Sequence, residues 1–415
     1  RCILSLFFEV EMFDVYKIRK DFPILDRLID GKRNVYLDTA ASAQKPLAML
    51  DRINNFYRDE YANVHRGSYY LSELATEAYE HARLTVKNFI NARKPAEIIF
   101  TRSATEGINL VAATYGASIL QNGDEILLSR AEHHANLVTW QQWAKKTGAS
   151  LKYFDLNTDG SFSKENFESA LSERTKIVAV TAMSNVLGTI FPIKEICKTA
   201  HSIGAKVLVD ACQYAVHKKI DVQDFDCDFL AFSGHKVYGP TGIGVLYGKY
   251  DLLAQMPPYQ YGGDMIEHVS FEETTFAMPP ARFEAGTPAI AQAVGLAASL
   301  QYLMQFNFSA IEAYEAELTR YMSREMLNVN GLKIVGNIPD KGGVCSFSIQ
   351  GIHPQDLAFV LGKEGVAVRT GHFCAEPLVN LLGYTSLARA SLGIYSTKED
   401  VDDFIKALYK AKSFF

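Results

Sequence analysis

The sequence predicts an α/β protein, in which a mostly parallel sheet covered by helices is followed by a smaller α+β unit. Three observations carry this prediction. Short apolar and β-branched runs alternate with longer helical stretches through most of the chain, the pattern of strands joined by crossover helices. After about residue 290 the alternation gives way to a long helical run, then to mixed strands and helices. The chain has 415 residues, 48% apolar and 21% charged, the make-up of a soluble globular protein with length for two or three folding units.

Taken in order, Glu97–Thr101 (EIIFT) reads as the first strand. Asp124–Ser129, Leu151–Asp155, Lys176–Thr181, Lys206–Asp210 and Phe229–Ser233 read the same way. Helical patterns fall between them at Thr105–Leu120, Asn136–Thr147 and Ile193–Ile203. The Pro- and Gly-rich stretch 256–288 reads as irregular surface. Ala291–Val329 is one long helical run with few breakers. Strands follow at Leu332–Val335, Val344–Ile349 and Val366–Arg369, with helices at Gln355–Glu364 and from Lys398 onward.

The net charge of −5 argues against a nucleic-acid or anionic-membrane binder. The apolar run Cys2–Phe8 is too short for a membrane span, and no small-residue cleavage site follows it. Residues 1–11 read as an extension outside the fold. The six cysteines are Cys2, Cys197, Cys212, Cys227, Cys345 and Cys374. They contain no Cys-x-x-Cys pair and no zinc spacing, so free thiols in a reducing cytoplasm are expected.

Four constellations carry chemistry. Asp210 ends an apolar strand, where ligands gather in open α/β sheets, and Lys236 follows another in Ser233-Gly-His235-Lys236. An amine for a Schiff base and an acid for a pyridinium nitrogen are what pyridoxal phosphate (PLP) requires. A turn-capping Asp and a surface Lys are the ordinary alternative. Thr101-Arg-Ser-Ala-Thr105-Glu-Gly107 links a strand to a helix, so it is either a phosphate site or a plain N-cap. In Glu132-His133-His134-Ala-Asn136 an imidazole can stack on a flat ligand, and a polar helix start fits as well. No third ligand at suitable spacing supports a metal. Last, Arg369-Thr-Gly-His372-Phe-Cys374 sets a thiol in a polar loop beside cationic groups that favour thiolate. Cys197, Cys212 and Cys345 lie in apolar or helical settings, and Cys227 lies between two aspartates, so a nucleophilic cysteine would be Cys374. Arg389 stands beside an apolar stretch, as a carboxylate clamp or a structural ion pair.

Together these segments resemble the class V aminotransferase family of fold-type I PLP enzymes, and within it the SufS-type (group II) cysteine desulfurases. The matching stretches run from about Asp21 to the C-terminus. They include Tyr36-Leu-Asp-Thr-Ala-Ala-Ser42, Asn63-Val-His65-Arg66-Gly, Ser184-Asn185-Val-Leu-Gly188, Val209-Asp-Ala-Cys-Gln213, Ser233 to Pro240, Arg282-Phe-Glu-Ala-Gly-Thr287 and Arg389-Ala-Ser391. The resemblance implies a seven-stranded sheet in a large PLP-binding domain at 36–290 and a small domain at 291–415 carrying the Cys loop. Residues 12–35 would pack with the small domain.

The resemblance also implies roles. Lys236 would hold PLP as a Schiff base and then move the substrate's α-proton. Asp210 would pair with the ring nitrogen, His133 would stack on the ring, and Gln213 would hydrogen-bond its phenolic oxygen. Thr105, Ser233 and His235 would hold the phosphate. Thr287 would reach the phosphate of a neighbouring subunit in a homodimer. Asn185 and Arg389 would bind the substrate carboxylate, with Arg369, His65 and Arg66 also on the substrate side. Cys374 would take sulfur from L-cysteine as a persulfide, releasing alanine, and pass it to a SufE-type acceptor for iron–sulfur cluster assembly. Many relatives carry His where this chain has Phe373, which reads as a change in loop packing. Selenocysteine lyase activity, a plain class V aminotransferase and a non-catalytic scaffold are the rival readings.

Overall fold

Side chains of a strand alternate between the two faces of its sheet, so a strand covered on both faces is apolar throughout. The computed structural model describes residues 13–415; the extension expected at 1–11, with Cys2, lies outside them. In it Leu127, Val178, Val180, Val207, Val209, Leu230 and Phe232 join one core, while Ile126, Leu128, Ile177, Ala179, Leu208, Phe229 and Ala231 join another across the sheet. These residues belong to one seven-stranded sheet. From edge to edge its order is Ile98–Thr101, Gly244–Gly248, Phe229–Ser233, Lys206–Asp210, Thr175–Thr181, Glu125–Ser129 and Ser150–Phe154. Gly244–Gly248 runs antiparallel to both neighbours and the remaining pairs are parallel. Ile98–Thr101 pairs with Gly244–Gly248 alone.

A second sheet is antiparallel, in the order Leu332–Val335, Val344–Ile349, Leu387–Ser391, Arg369–Gly371. Its core gathers Phe347, Ala388 and Ala390 with Leu318 and Met322 of helix Phe308–Leu327, Leu357 of Pro354–Lys363, and Phe404 of Lys398–Lys412. Near the start of the described chain, Val35–Tyr36 pairs in parallel with Val366–Ala367, and Arg19 binds Asp400 at 2.7 Å.

Three local expectations change, and the strands Gly244–Gly248 and Leu387–Ser391 were not read from the sequence. The run expected at Ala291–Val329 is two helices, Ile290–Met304 and Phe308–Leu327. The Asn307 side chain accepts the Ser309 amide at 2.9 Å and starts the second. Ile290–Met304 packs on helices Leu47–Asn55 and Tyr70–Phe89. The stretch 256–288 contains a hairpin, Ile266–Val269 with Thr274–Phe276, whose largely exposed faces leave no hydrophobic alternation to read. Val366–Arg369 divides between two partners: Val366–Ala367 pairs with Val35–Tyr36, and Arg369–Gly371 with Leu387–Ser391. Gly244–Gly248 went unread because it is five residues bracketed by glycines.

Candidate active site

Strand parity builds the floor of the site. Thr181, Asp210 and Ser233 end neighbouring strands and share a face with Ala179, Leu208 and Ala231, beneath helix Ala104–Val111. That helix begins at Ser103, whose hydroxyl accepts the Glu106 amide at 3.4 Å, while the Ser233 hydroxyl accepts the Ala104 amide at 2.9 Å. Asp210 is buried, and one of its oxygens accepts the Cys212 amide at 3.0 Å. One short 3₁₀ turn, Gly234–Lys236, carries the chain from Ser233 to Lys236. The turn needs glycine: a Cβ on Gly234 would stand 2.8 Å from Ile243 Cγ2 and 3.1 Å from its carbonyl. The His235 carbonyl accepts the Ala43 amide at 3.0 Å and the Lys45 ammonium at 3.0 Å, fixing the lysine loop.

These groups surround a cavity of about 300 Å³. The structure brings Lys236, Asp210, Gln213, His133, Thr105, Ser233, His235, Asn185, Arg369, Arg389 and Cys374 to its wall. Within one chain it does not bring Thr287, His65 or Arg66 there. Thr287 lines a second cavity. His65 pairs with Glu80 at 3.1 Å and Arg66 with Asp264 at 2.7 Å, both lining a third. Among the described residues no group of three or more His, Cys, Asp or Glu converges as a metal site.

His133 lines the cavity and also caps a helix start. It precedes helix His134–Thr147, and its Nδ1 accepts the Ala135 amide at 3.0 Å, which leaves the neutral ring's proton on Nε2. Burial, and then the Lys236 charge, push it down to about 4. Burial likewise pushes His235 down to about 4 and Lys45 down to about 8. Neighbouring Glu132 is held up at about 7 by burial, although its carboxylate accepts from Ser129, Asn136 and the Thr181 amide.

The second sheet supplies the opposite wall. Arg369 and Arg389 face each other in register, and Asp38 answers both, at 2.7 Å from Arg369 and 3.7 Å from Arg389. Arg389 donates Nη1 to the Asn185 carbonyl at 2.9 Å, while its buried Nε has no partner. Burial lowers its pKa to about 10, with Asp38 opposing. A guanidinium so thinly paired is fit to receive a ligand carboxylate. Cys374 is exposed at the cavity's mouth, and its carbonyl accepts the His134 amide at 2.7 Å. Cys197 and Cys212 are pushed up to about 12 by burial, and Cys227 is pushed up strongly for the same reason. Sequence reasoning assigned no role to Asp38, Lys45 or Glu132. Asp38 and Glu132 both left a signal, each an acid in a stretch singled out from the sequence, Asp38 just past the buried residues Val35 and Leu37.

A family model described as aminotransferase class-V matches residues 35–404. The chain belongs to the class-V aminotransferase family. Within that family its similarity is to cysteine desulfurases. A probable cysteine desulfurase of Halalkalibacterium halodurans is 48% identical, over 97% of this chain and 99% of that protein. One from Staphylococcus aureus is 50% identical, over 97% and 98%. The crystal structure of the cysteine desulfurase CsdA of Escherichia coli aligns at a TM-score of 0.90 and 39% identity, over 97% of this chain and 99% of that one. A cysteine desulfurase from Thermococcus onnurineus aligns at 0.91 and 36% identity, over 96% and 98%. Among the described residues, no helix of the chain is long and apolar enough to cross a membrane.

Proposed function

We propose that this protein is a PLP-dependent cysteine desulfurase that converts L-cysteine to L-alanine and captures the sulfur on Cys374. One observation carries the reading: an exposed thiol stands at the mouth of a cavity whose wall holds Lys236, Asp210 and His133. The residues fit PLP. Gln213 Oε1 is buried without a partner, Asp210 is a buried acid on the same cavity wall as Lys236, and Ser103, Ala104 and Thr105 at the start of helix Ala104–Val111 line the cavity with Ser233.

When bound, PLP supplies an aromatic electron sink joined to the substrate's nitrogen. Lys236 would be the amine that attaches it and the base for the Cα proton. Asp210 would pair with its ring nitrogen, His133 would stack on its ring, and Gln213 would hydrogen-bond its phenolic oxygen. Thr105, Ser233 and His235 would hold its phosphate. Arg389 and Asn185 take the substrate carboxylate, and Arg369 guards the mouth. The Cys374 thiolate attacks the substrate sulfur; a sulfur–sulfur bond forms and the substrate's carbon–sulfur bond breaks. The electron pair of that bond stays with the carbon, which gains a proton and becomes the alanine methyl. Sulfur is oxidised as carbon is reduced, so no outside oxidant is needed.

The exposure of Cys374 leaves its persulfide open to a second protein, which supports delivery to a SufE-type acceptor for iron–sulfur assembly. Thr287, His65 and Arg66, lining surface cavities away from their own chain's site, fit a homodimer in which they serve the neighbour. Cys197, Cys212, Cys227 and Cys345 are unbridged, as in a reducing cytoplasm.

The test is mass analysis of the holoenzyme after incubation with cysteine. One added sulfur on the Cys374 peptide, with alanine as co-product, is expected. A keto acid with no added sulfur overturns the reading in favour of an aminotransferase.

A further inference from the structure

Phe373 and Cys374 are consecutive non-glycine residues in the left-handed region, with φ of +54° and +55°. For bulky L-residues this backbone lies uphill, so surrounding contacts must hold it. The Phe373 carbonyl accepts the Asn185 amide nitrogen at 2.6 Å. Its ring, only 8% exposed, lies under the Arg389 guanidinium at 4.7 Å. Arg389 in turn donates to the Asn185 carbonyl. The three residues close a loop of contacts: ring to guanidinium, guanidinium to Asn185, Asn185 back to the Phe373 carbonyl. A cation over an aromatic face is attracted by the ring's quadrupole, most strongly where water is excluded. Arg389 is buried and thinly paired, so this ring is one of its few charge-stabilising neighbours.

We propose that Phe373 is a positioning residue for Cys374, gripping Arg389 with its ring and Asn185 with its carbonyl. The sulfur nucleophile is then located by the same two groups that hold the substrate's carboxylate. The proposal rests on the desulfurase reading for the roles of those two groups. An aliphatic side chain of similar size fills the space but carries no quadrupole, so the grip depends on the ring. A displacement of about 1 Å at a reacting atom is enough to slow a reaction on the order of a hundredfold.

The test compares the wild-type holoenzyme with Phe373→Leu and Phe373→Tyr, with Phe373→Met as a second ring-less variant should the leucine form not fold. Two quantities are read: single-turnover persulfide formation on Cys374, and hydrogen exchange of the peptide spanning residues 372–376 without substrate. In the ring-less variant we expect persulfide formation to slow about tenfold with KM for cysteine changed less than threefold, and exchange to quicken about tenfold. Phe373→Tyr is expected to stay within threefold of wild type in both. A ring-less variant that matches wild type in rate and exchange overturns the proposal, because a filler of space would behave that way. If wild-type protein gains no sulfur at all, the desulfurase reading fails, while the exchange comparison still decides whether the ring holds the loop.

Discussion

Asp38→Asn is the sharpest perturbation of this site. Asp38 is the carboxylate between two arginines that face each other in register, and like charges placed opposite one another repel. Its pair with half-exposed Arg369 contributes little, roughly 0–1 kcal/mol. The pair with buried Arg389 matters more. At 3.7 Å and an effective dielectric near 20, the attraction is about 4 kcal/mol. Leaving a buried charge without its counter-ion costs on the order of 3 kcal/mol net. For a chain of this size that is a fall of about 3 °C in melting temperature. On the proposed reading, a substrate carboxylate would then become the main counter-ion for Arg389. The variant is therefore expected to melt lower when free and to gain more than wild type from added L-alanine. Differential scanning calorimetry of both proteins, with and without saturating alanine, measures this. Equal melting temperatures and equal alanine shifts would refute the view that Arg389 is short of negative charge.

Two further predictions follow from the titrating groups. At pH 8, iodoacetamide is expected to label Cys374 well ahead of Cys197 and Cys212, whose thiols burial holds at about 12; peptide mapping that finds either of them labelled ahead of Cys374 contradicts the structure. His133 and His235 sit at about 4 when folded against about 6.5 when unfolded, so in that window the unfolded chain binds protons the folded chain refuses, and their contribution to stability grows with pH. Glu132, held at about 7 against 4.5, works the other way, but two groups outweigh one. The urea midpoint is expected to rise between pH 5 and 6.5 and to rise less in His133→Gln; an unchanged rise in that variant removes His133 from the account.

Much of the fold was legible because burial on both faces writes a parallel strand as an unbroken apolar run. Lys206–Asp210 and Phe229–Ser233 were read with their observed ends for that reason, and those ends carry Asp210 and lead to Lys236. Leu387–Ser391 was missed because its buried Arg389 breaks such a run; the arginine is there for the site, not the core. Asp210, Lys236, Thr105 and His133 could be picked out from their segments, since each ends or follows a strand or sits at a helix start, whereas Gln213 and Asn185 were named only through the resemblance. Their mutual contacts could not. The register of Arg369 against Arg389 and the ring of Phe373 beneath the guanidinium join positions 16–20 residues apart, and Asp38 bridges to both arginines from more than 300 residues away; no local pattern encodes these contacts.

The lone reversed strand in the large sheet has a bearing on biosynthesis. Ile98–Thr101 leaves the ribosome roughly 145 residues before Gly244–Gly248, the strand it bonds to. At about 5–20 residues per second, that segment waits on the order of ten seconds with its hydrogen-bonding edge unmatched. During that interval the unmatched edge is a natural point of capture for chaperones and of mispairing between nascent chains.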